Sequence, residues 1–380
     1  MTIPPAAQHQ QIRVYYYDEP PLDLLLDAVA PTLRALQTTI PGAFFGLHWL
    51  CGPHVRVQFP VDAATLDATV RPVIEAMIGG FLAARPSTRT LDSAGLRPIY
   101  AHLAHEEQIA EPILPLRPNN SLHYLPADRR LELFGDEGVA AVVEGLLAAT
   151  NELAFSQLAA IRAGASRLSL AFDLMVATAH AATGAITNGF LSYRSHAEAF
   201  IEGWPAPAET RAAFARHYQA HGPALARRMR LILDALNDRS ELPMVTAWAT
   251  ALSHCRAQAI ATLRARGPAS FPRGRSNLGA EEVQAIQARL RRSSFHSVLQ
   301  ADAARRTALW QNLGFQTYRL LLNAQYLHLS RLGVRPYERF LLCHLVAETV
   351  EATFEVSAAQ LLAIQLADLR LAQSSQGAGA

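Results

Sequence analysis

Residues 44–59, FFGLHWLCGPHVRVQF, constrain the fold more than any other stretch of the chain. In its second half His54, Arg56 and Gln58 alternate with Val55, Val57 and Phe59. A period of two sends the polar and the apolar side chains to opposite faces of a strand, so one face is buried and the other is chemically usable. Cys51-Gly52-Pro53 is the turn between this strand and the one before it. The stretch reads as a β-hairpin with a basic, hydrogen-bonding face.

The rest of the N-terminal third builds on that hairpin. Residues 12–17 are β-branched and aromatic and predict a first strand, ended by Pro20-Pro21. Leu22, Leu25, Leu26, Val29, Leu33 and Leu36 then recur at helical spacing, with Pro31 expected to kink or split the helix. Asp62 is placed to cap a helix that runs to about Ala84 and contains Pro72. Residues 85–118 hold five prolines and a polar run at 102–107, and show no readable period. Residues 119–125 read as one more strand. Strand, helix, two strands, helix, strand is the order of a ferredoxin-like βαββαβ unit.

From Asp136 the character changes. Asp136 and Glu137 suit the N-terminal dipole of a helix. Helical patterning follows over 139–150, 152–183, 208–237, 241–266, 280–296, 299–331 and 336–373, with breaks at 184–189, 204–207, 267–279 and 333–336. The chain is thus expected to be α+β: a ferredoxin-like N-terminal part over 12–130, then a large, mostly helical part over 131–373. Residues 1–11 and 374–380 are expected to be disordered, and the two parts to form one compact unit. No internal repeat is visible.

Composition removes whole classes of function. All 34 cationic residues are Arg, so no lysine exists to form a Schiff base, a Walker-A contact or a pyridoxal anchor. The formal net charge of +2 argues against a dedicated nucleic-acid binder. Cys51, Cys255 and Cys343 are far apart and form no CxxC pair, so neither a disulfide framework nor a zinc ribbon is implied. The N-terminus has no charged segment followed by an apolar one, and no uncharged apolar run is long enough to span a bilayer. These features point to a cytoplasmic bacterial protein of a reducing compartment, with no nucleic-acid or membrane partner. Arg and Ala enrichment fits a GC-rich genome. GxSxG, GxGxxG, P-loop, HxH and HExxH motifs are all absent, so no hydrolase triad, organic cofactor or metal site is implied.

Three groups of residues are candidates for chemistry. Gln316, Arg319, Asn323, Tyr326 and Ser330 are spaced 3, 4, 3, 4 along one otherwise apolar helix and make a single polar stripe. The stripe either faces solvent, or faces a wet pocket or is satisfied internally, and the sequence leaves these open. His328 and Arg331 lie on another face of that helix, as a helix-end pair or a packed histidine. The stretch Ser192-Tyr193-Arg194-Ser195-His196-Ala197-Glu198 is dense in donors and acceptors, although Arg194 and Glu198 by themselves read as a solvated i,i+4 pair. On the hairpin, His48 lies on the strand opposite His54, and His54, Arg56 and Gln58 share a face suited to a carboxylate or to peptide carbonyls. The arginines at 264, 266, 273 and 275 read as a solvated loop patch.

In order and spacing these pieces resemble a known family. FFGLHWLCGPHVRVQF is similar to the "FF-x-RYW-x-x-GPHLRLRF" signature of the C-terminal elimination domain of lantibiotic dehydratases and of stand-alone thiopeptide-type biosynthesis proteins. RVYYYDEPPLDLLLDAVAPTLRAL, from Arg13, resembles that domain's opening strand and helix. GFLSYRSHAEAF, from Gly189, resembles the "S-x-RSHAE-x-F" stretch of the thiopeptide members, and YLHLSRLGVRPYER, from Tyr326, the late "HxxxNRLG…ER" helix. The motifs are loose, but they cover most of the chain. An unrelated helical enzyme with chance motifs would lack a sheet over residues 12–60.

The resemblance implies action on a ribosomally made precursor peptide. The family's elimination members expel glutamate from glutamylated Ser or Thr. Its pyridine synthases join two dehydroalanines in a formal [4+2] cycloaddition, with loss of water and of the leader peptide. Two departures favour the second branch. Leu47 and Gln58 stand where the signature has arginines, leaving Arg56 alone of that set, and Tyr326 stands where the eliminating histidine would be, with His328 two residues on. Carboxylate expulsion needs those cations, and tyrosine is a poor base near neutral pH. The implied catalytic set is Tyr326 with His196 or His328 as proton relay, and Arg194 or Arg56 at a developing oxyanion. The peptide would lie across the hairpin, and His48, His54, Gln58, Ser192, Ser195, Gln316, Arg319, Asn323, Ser330 and Arg331 would bind it. The implied partners are the precursor peptide, leader plus modified core, and other enzymes of the same pathway. Glutamate elimination is the alternative, and a non-catalytic peptide-binding partner a further one.

Overall fold

The computed structural model describes residues 9–129, 131–266 and 279–377. Strands β1 (Gln10–Tyr15), β2 (Phe44–His48), β3 (His54–Phe59) and β4 (Ser121–Pro126) form one antiparallel sheet in the order β2-β3-β1-β4. The alternation in the sequence sets its two faces. Ile12, Val14, Phe45, Val55, Val57 and Phe59 are fully buried on one. On the other, Arg13 lies between Arg56 and His123, and Tyr15 lies beside His54, which pairs in turn with His48. At the hairpin turn Cys51 and Gly52 have φ of +57° and +115°, and a Cβ on Gly52 would sit 3.0 Å from the Tyr17 ring. Only glycine takes that position without strain. Because residues 12–60 do form a sheet, the chance-motif reading falls.

Pro31, expected to kink or split its helix, does not split it, and the helix expected to run through Pro72 does so. Residues 22–36 and 63–84 stay helical, with wide π-type turns at Leu25–Val29, Leu66–Val70 and Glu75–Gly79. Pro31 and Pro72 lack an N–H and crowd the carbonyl four residues earlier, at Asp27 and Ala68. Both of those carbonyls lie in the wide turns, which make the room. Asp62 caps the second helix through Thr65 N. The stretch without a readable period contains the helix Ser93–Glu107, capped by Asp92.

Further along, several long helices are shorter than their periodicity implies. The pattern over 152–183 is two helices, Asn151–Arg162 and Arg167–Thr183, parted at Gly164 with φ +102°. The pattern over 280–331 is four: Ala280–Leu290, Ser294–Gln300, Ala303–Gln311 and Leu313–Arg331. Glu355, in a left-handed conformation, separates Pro336–Phe354 from Ala358–Gly377. Conversely, the break expected over 184–189 is confined to Gly184 and Ala185, and the helix Ile186–Gly203 follows at once. Helices Pro207–Leu236 and Pro243–Arg266 lie close to expectation. Arg264 and Arg266 end a helix rather than lie in a loop, while Arg273 and Arg275 lie outside the described residues. Of the termini expected to be disordered, residues 1–8 and 378–380 lie outside the described residues. Gln10 and Gln11 are strand, and 374–377 are helix.

The chain divides into two compact units: Met1–Ala165 with Leu327–Gly333, and Ser166–Tyr326 with Val334–Ala380. The division falls later than the change of character near residue 130. Helices Glu137–Ala149 and Asn151–Arg162 belong with the sheet: Phe155 stacks on Phe45 at 4.9 Å, and Arg34 pairs with Glu152 at 2.8 Å. Helical period is a local property and says nothing of which neighbour a helix packs against. In the second unit Arg167–Thr183 is the innermost helix, buried from Ala171 to Ala179. Among the described residues no single helix is long and apolar enough to cross a membrane. The bent pair 137–149 and 151–162 meets the length and composition criteria together, but its apolar residues are buried in the first unit.

Candidate active site

Two helices of the second unit bring His196 and Tyr326 together. Gly189 is the point of closest approach between Ile186–Gly203 and Arg167–Thr183: a Cβ there would lie 2.2 Å from the Ala179 carbonyl oxygen. The Tyr193 hydroxyl, fully buried, lies 3.0 Å from Met175 O and 2.8 Å from Gln325 Oε1. The Tyr318 hydroxyl donates to Gly189 O at 2.6 Å. These bonds fix the rotation of Ile186–Gly203 against Leu313–Arg331. His196 is then left facing Tyr326, with Nδ1 2.7 Å from the Tyr326 hydroxyl.

The pair is neutral. Burial pushes the His196 pKa down to about 3, and Arg339, Arg319 and His296 push the same way. Burial holds Tyr326 well above its ordinary value, with Cys343 and Tyr193 adding to it. Cys343 Sγ lies 3.3 Å from the Tyr326 hydroxyl, and burial raises the thiol to about 12. Cys343, Tyr326 and His196 therefore form a short chain of exchangeable protons with no resident charge. Tyr326 keeps 8 % of its surface exposed and His196 is half-buried, so the chain ends at an accessible group.

Positive charge surrounds this neutral pair. The Arg339 guanidinium lies 4.7 Å over the Tyr326 ring and 4.9 Å over the Phe340 ring. Arg319 lies 4.3 Å over Trp310, and burial lowers its pKa to about 10. Gln316 is buried and donates to Trp310 O at 2.8 Å, which leaves it a structural part. Asn323, one turn before Tyr326, is exposed, and Ser192, one turn before His196, is half-buried. Next to the pair, Ser195 Oγ lies 3.0 Å from His296 Nε2. The polar stripe is thus neither wholly solvated nor wholly in a pocket: Asn323 faces water, Arg319 is half-buried, and Gln316 and Tyr326 are inside.

Other expected site residues are placed elsewhere. Arg194 is no solvated surface pair: it is 7 % exposed and bound by Glu348 at 2.9 Å, by Glu351 and, at 3.8 Å, by Glu198. Three carboxylates occupy its guanidinium, which removes it as an oxyanion group. In the first unit His328 is fully buried, with Nε2 2.8 Å from Gln157 Oε1 and Nδ1 facing Arg331 at 2.8 Å and Thr150 Oγ1 at 3.3 Å. Both ring nitrogens are engaged, and burial, then Arg331, holds its pKa well below normal, so the proton-relay role has no geometric support. Arg331 donates to Leu147 O and Thr150 O and so satisfies carbonyls at the C-terminus of Glu137–Ala149, where a cation suits the helix dipole. It is packing, not substrate binding. Ser330 lies on the same last turn, half-buried.

The hairpin face is covered. Arg13 pairs with Glu111 at 3.3 Å, and His48 Nε2 with Glu107 at 3.4 Å, while Arg117 N donates to Cys51 O at 2.8 Å. Beneath this cover His54 and Arg56 are 3 % and 9 % exposed, and His54 accepts from Arg56 at 3.4 Å. His48 and Gln58 are half-buried. A peptide laid across this face, with Arg56 at an oxyanion, would first have to displace residues 107–117. The sequence did not reveal the cover, because those residues carry no period.

Sequence reasoning missed Arg339, Cys343 and His296 as neighbours of the pair. Arg339 was within reach, since it ends the YLHLSRLGVRPYER stretch. Cys343, one turn beyond it, carries no signal, because a lone buried cysteine reads as a small apolar residue.

Residues 10–350 match the family described as "Lantibiotic biosynthesis dehydratase C-term". Among solved structures, the chain is similar to the pyridine synthase TbtD from thiomuracin biosynthesis, at 29% identity over 92% of this chain and 100% of that one, with a TM-score of 0.74. It also shares its fold with TsrL, at 19% identity over 94% and 98% of the two chains, with a TM-score of 0.67. None of the curated proteins matches the sequence. With a match over nearly its whole length, the chain belongs to the lantibiotic biosynthesis dehydratase C-terminal family.

Proposed function

We propose that the protein modifies a ribosomally made precursor peptide by the formal [4+2] joining of two dehydroalanines into a pyridine-type ring. The observation that carries this reading is the neutral, accessible His196–Tyr326 pair at 2.7 Å. Family membership and the likeness to a pyridine synthase supply its context. For the cycloaddition, the amide on the nitrogen side of one dehydroalanine becomes its iminol, which gives a four-atom azadiene. Tyr326 donates its hydroxyl proton to the amide oxygen. His196 replaces that proton from Nδ1 and takes the amide N–H at Nε2. Three protons move in step and no charge is created, which suits a site where burial penalises charge. A histidine held at about 3 is unprotonated at neutral pH and ready to accept. The second dehydroalanine then closes the ring by two C–C bonds, helped mainly by being held in reach. Loss of water and of the leader as its C-terminal amide leaves the aromatic ring. Arg339, rather than Arg194 or Arg56, offers positive charge at the reacting carbonyl, and Asn323 and Ser192 are placed to bind the peptide backbone. The precursor peptide is the partner on this reading, and no cofactor is needed.

Glutamate elimination is the second reading, favoured by the two arginines, Arg339 and Arg319, beside the pair. It needs a base for an α-proton, and a histidine pushed to about 3 is a weak one. We also read the sheet as ferredoxin-like, supported by its order β2-β3-β1-β4 and by helices after β1 and β3.

Mass spectrometry of purified protein with two peptides separates the readings. A peptide carrying dehydroalanines should lose water and its leader. Loss of glutamate from a peptide carrying glutamylated serines would establish elimination instead. Leader binding with neither change would point to a non-catalytic peptide-binding partner.

A further inference from the structure

An aromatic strip runs away from the His196–Tyr326 pair along two helices of the second unit. On Ile186–Gly203 and its cap, Phe200 and Trp204 follow His196 at steps of four, so they continue the same helical face. On Pro336–Phe354, Tyr337 and Phe340 lie three apart, beside Arg339. The two rows meet where Phe200 stacks on Phe340, 4.4 Å apart and 17° from parallel. Trp204 lies 4.8 Å from Phe200 and 5.8 Å from Tyr337, and Tyr337 packs on Phe214 at 5.5 Å. The strip joins the candidate site through Arg339, whose guanidinium faces both Phe340 and Tyr326. Its far end is open: Trp204 and Tyr337 leave 41% and 39% of their surface in water, although the inner rings are packed. Large aromatic rings held rigid by such packing, yet exposed at one end, have the form of a stacking platform.

We propose that Phe200, Trp204, Tyr337 and Phe340 form a subsite that stacks a flat, conjugated residue of the substrate peptide, flanking the residue that reacts at His196. The proposal rests on the peptide-modifying reading above. Its register follows from geometry. Trp204 lies eight residues beyond His196, about 12 Å along the helix. An extended peptide advances about 3.3–3.6 Å per residue, so the stacked residue is about three positions from the reacting one. Dehydroamino acids and aromatic side chains are flat and meet the requirement, and Leu or Ala do not.

The test is fluorescence anisotropy with labelled dehydroalanine peptides that carry either Phe or Leu at the third position from the dehydroalanine, on either side. Wild-type protein should prefer the Phe peptide by about tenfold, the upper end of what an aromatic pair contributes. Trp204→Ala and Tyr337→Ala should each remove most of that preference, and Trp204→Phe should restore it. Both residues are at the surface, so the variants should fold, which circular dichroism checks. Equal loss of affinity for the Phe and Leu peptides, or no loss, overturns the subsite. So does a concentration-dependent dimer that Trp204→Ala dissolves, because the strip would then be a self-association surface. Binding is read without turnover. A preference that persists while no product forms keeps the subsite and fails the cycloaddition. A protein that binds neither peptide fails both.

Discussion

At the residue scale, the candidate chemistry depends on which histidine keeps a usable nitrogen. His328 has both nitrogens engaged within the first unit, whereas His196 keeps part of its surface exposed beside Tyr326. Tyr326→Phe deletes the hydroxyl that bridges His196 and Cys343 and leaves the ring under Arg339. Turnover should fall by about 10²–10⁴, the usual worth of a positioned proton donor. Stability should drop by only about 1 kcal/mol, and leader affinity should be unchanged. Turnover equal to wild type would remove Tyr326 from the mechanism. His196→Gln, measured the same way, should be at least as damaging, because glutamine hydrogen-bonds but cannot exchange a proton in step.

At the element scale, the helix Ile186–Gly203 is held from two sides. On one, Gly189 lets it approach Arg167–Thr183 closely enough for a Cβ to meet Ala179 O at 2.2 Å. Gly189→Ala must push the helices apart and should cost about 3 kcal/mol or more in urea unfolding, the upper end for overpacking. Because the shift also moves His196 off Tyr326, activity should fall further than stability explains. On the other side, Arg194 ties the helix to Pro336–Phe354 through Glu348 and Glu351, which keep 33% and 23% of their side-chain surface in water. Removing one partner of a buried ion pair costs about 3–5 kcal/mol, and partial exposure lowers this, so Arg194→Ala should cost about 2–3 kcal/mol. Arg194→Ala with wild-type stability would show that the carboxylates are not held by it.

At the scale of the whole molecule, buried neutral histidines set the acid limit. His196 is pushed to about 3 and His344 to about 4, and burial holds His54 and His328 well below their ordinary value. Unfolded histidine titrates near 6.5. Below that value the unfolded chain binds protons that the folded chain refuses. Stability is therefore complete above about pH 6.5 and is lost as pH falls towards the folded values, by up to about 1.4 kcal/mol per pH unit for each such histidine. Urea midpoints should be flat from pH 8 to 7 and fall steeply from 6 to 5, and His328→Gln should flatten that slope. A midpoint rising on acidification would contradict the burial assigned to these rings.

What the sequence determined by itself is what depends on neighbours in the chain. The period of two in residues 54–59 decides which side chains share a sheet face, and Asp62 and Asp136 cap helices through Thr65 N and Val139 N, each three residues on. The order of the motifs was enough to reach the family. The rest is decided by partners far away in the chain. Arg194 reads as a solvated pair with Glu198 until a helix more than a hundred residues later brings Glu348 and Glu351 to it. Nothing near residues 44–59 announces that Glu107 and Glu111 will cover the hairpin face. His196 carries no mark distinguishing it from His328, because a histidine's pKa and role follow from its burial and from the group facing it. Tertiary packing sets both: it puts Tyr326 against His196, where desolvation keeps each neutral, and seals His328 away from any substrate.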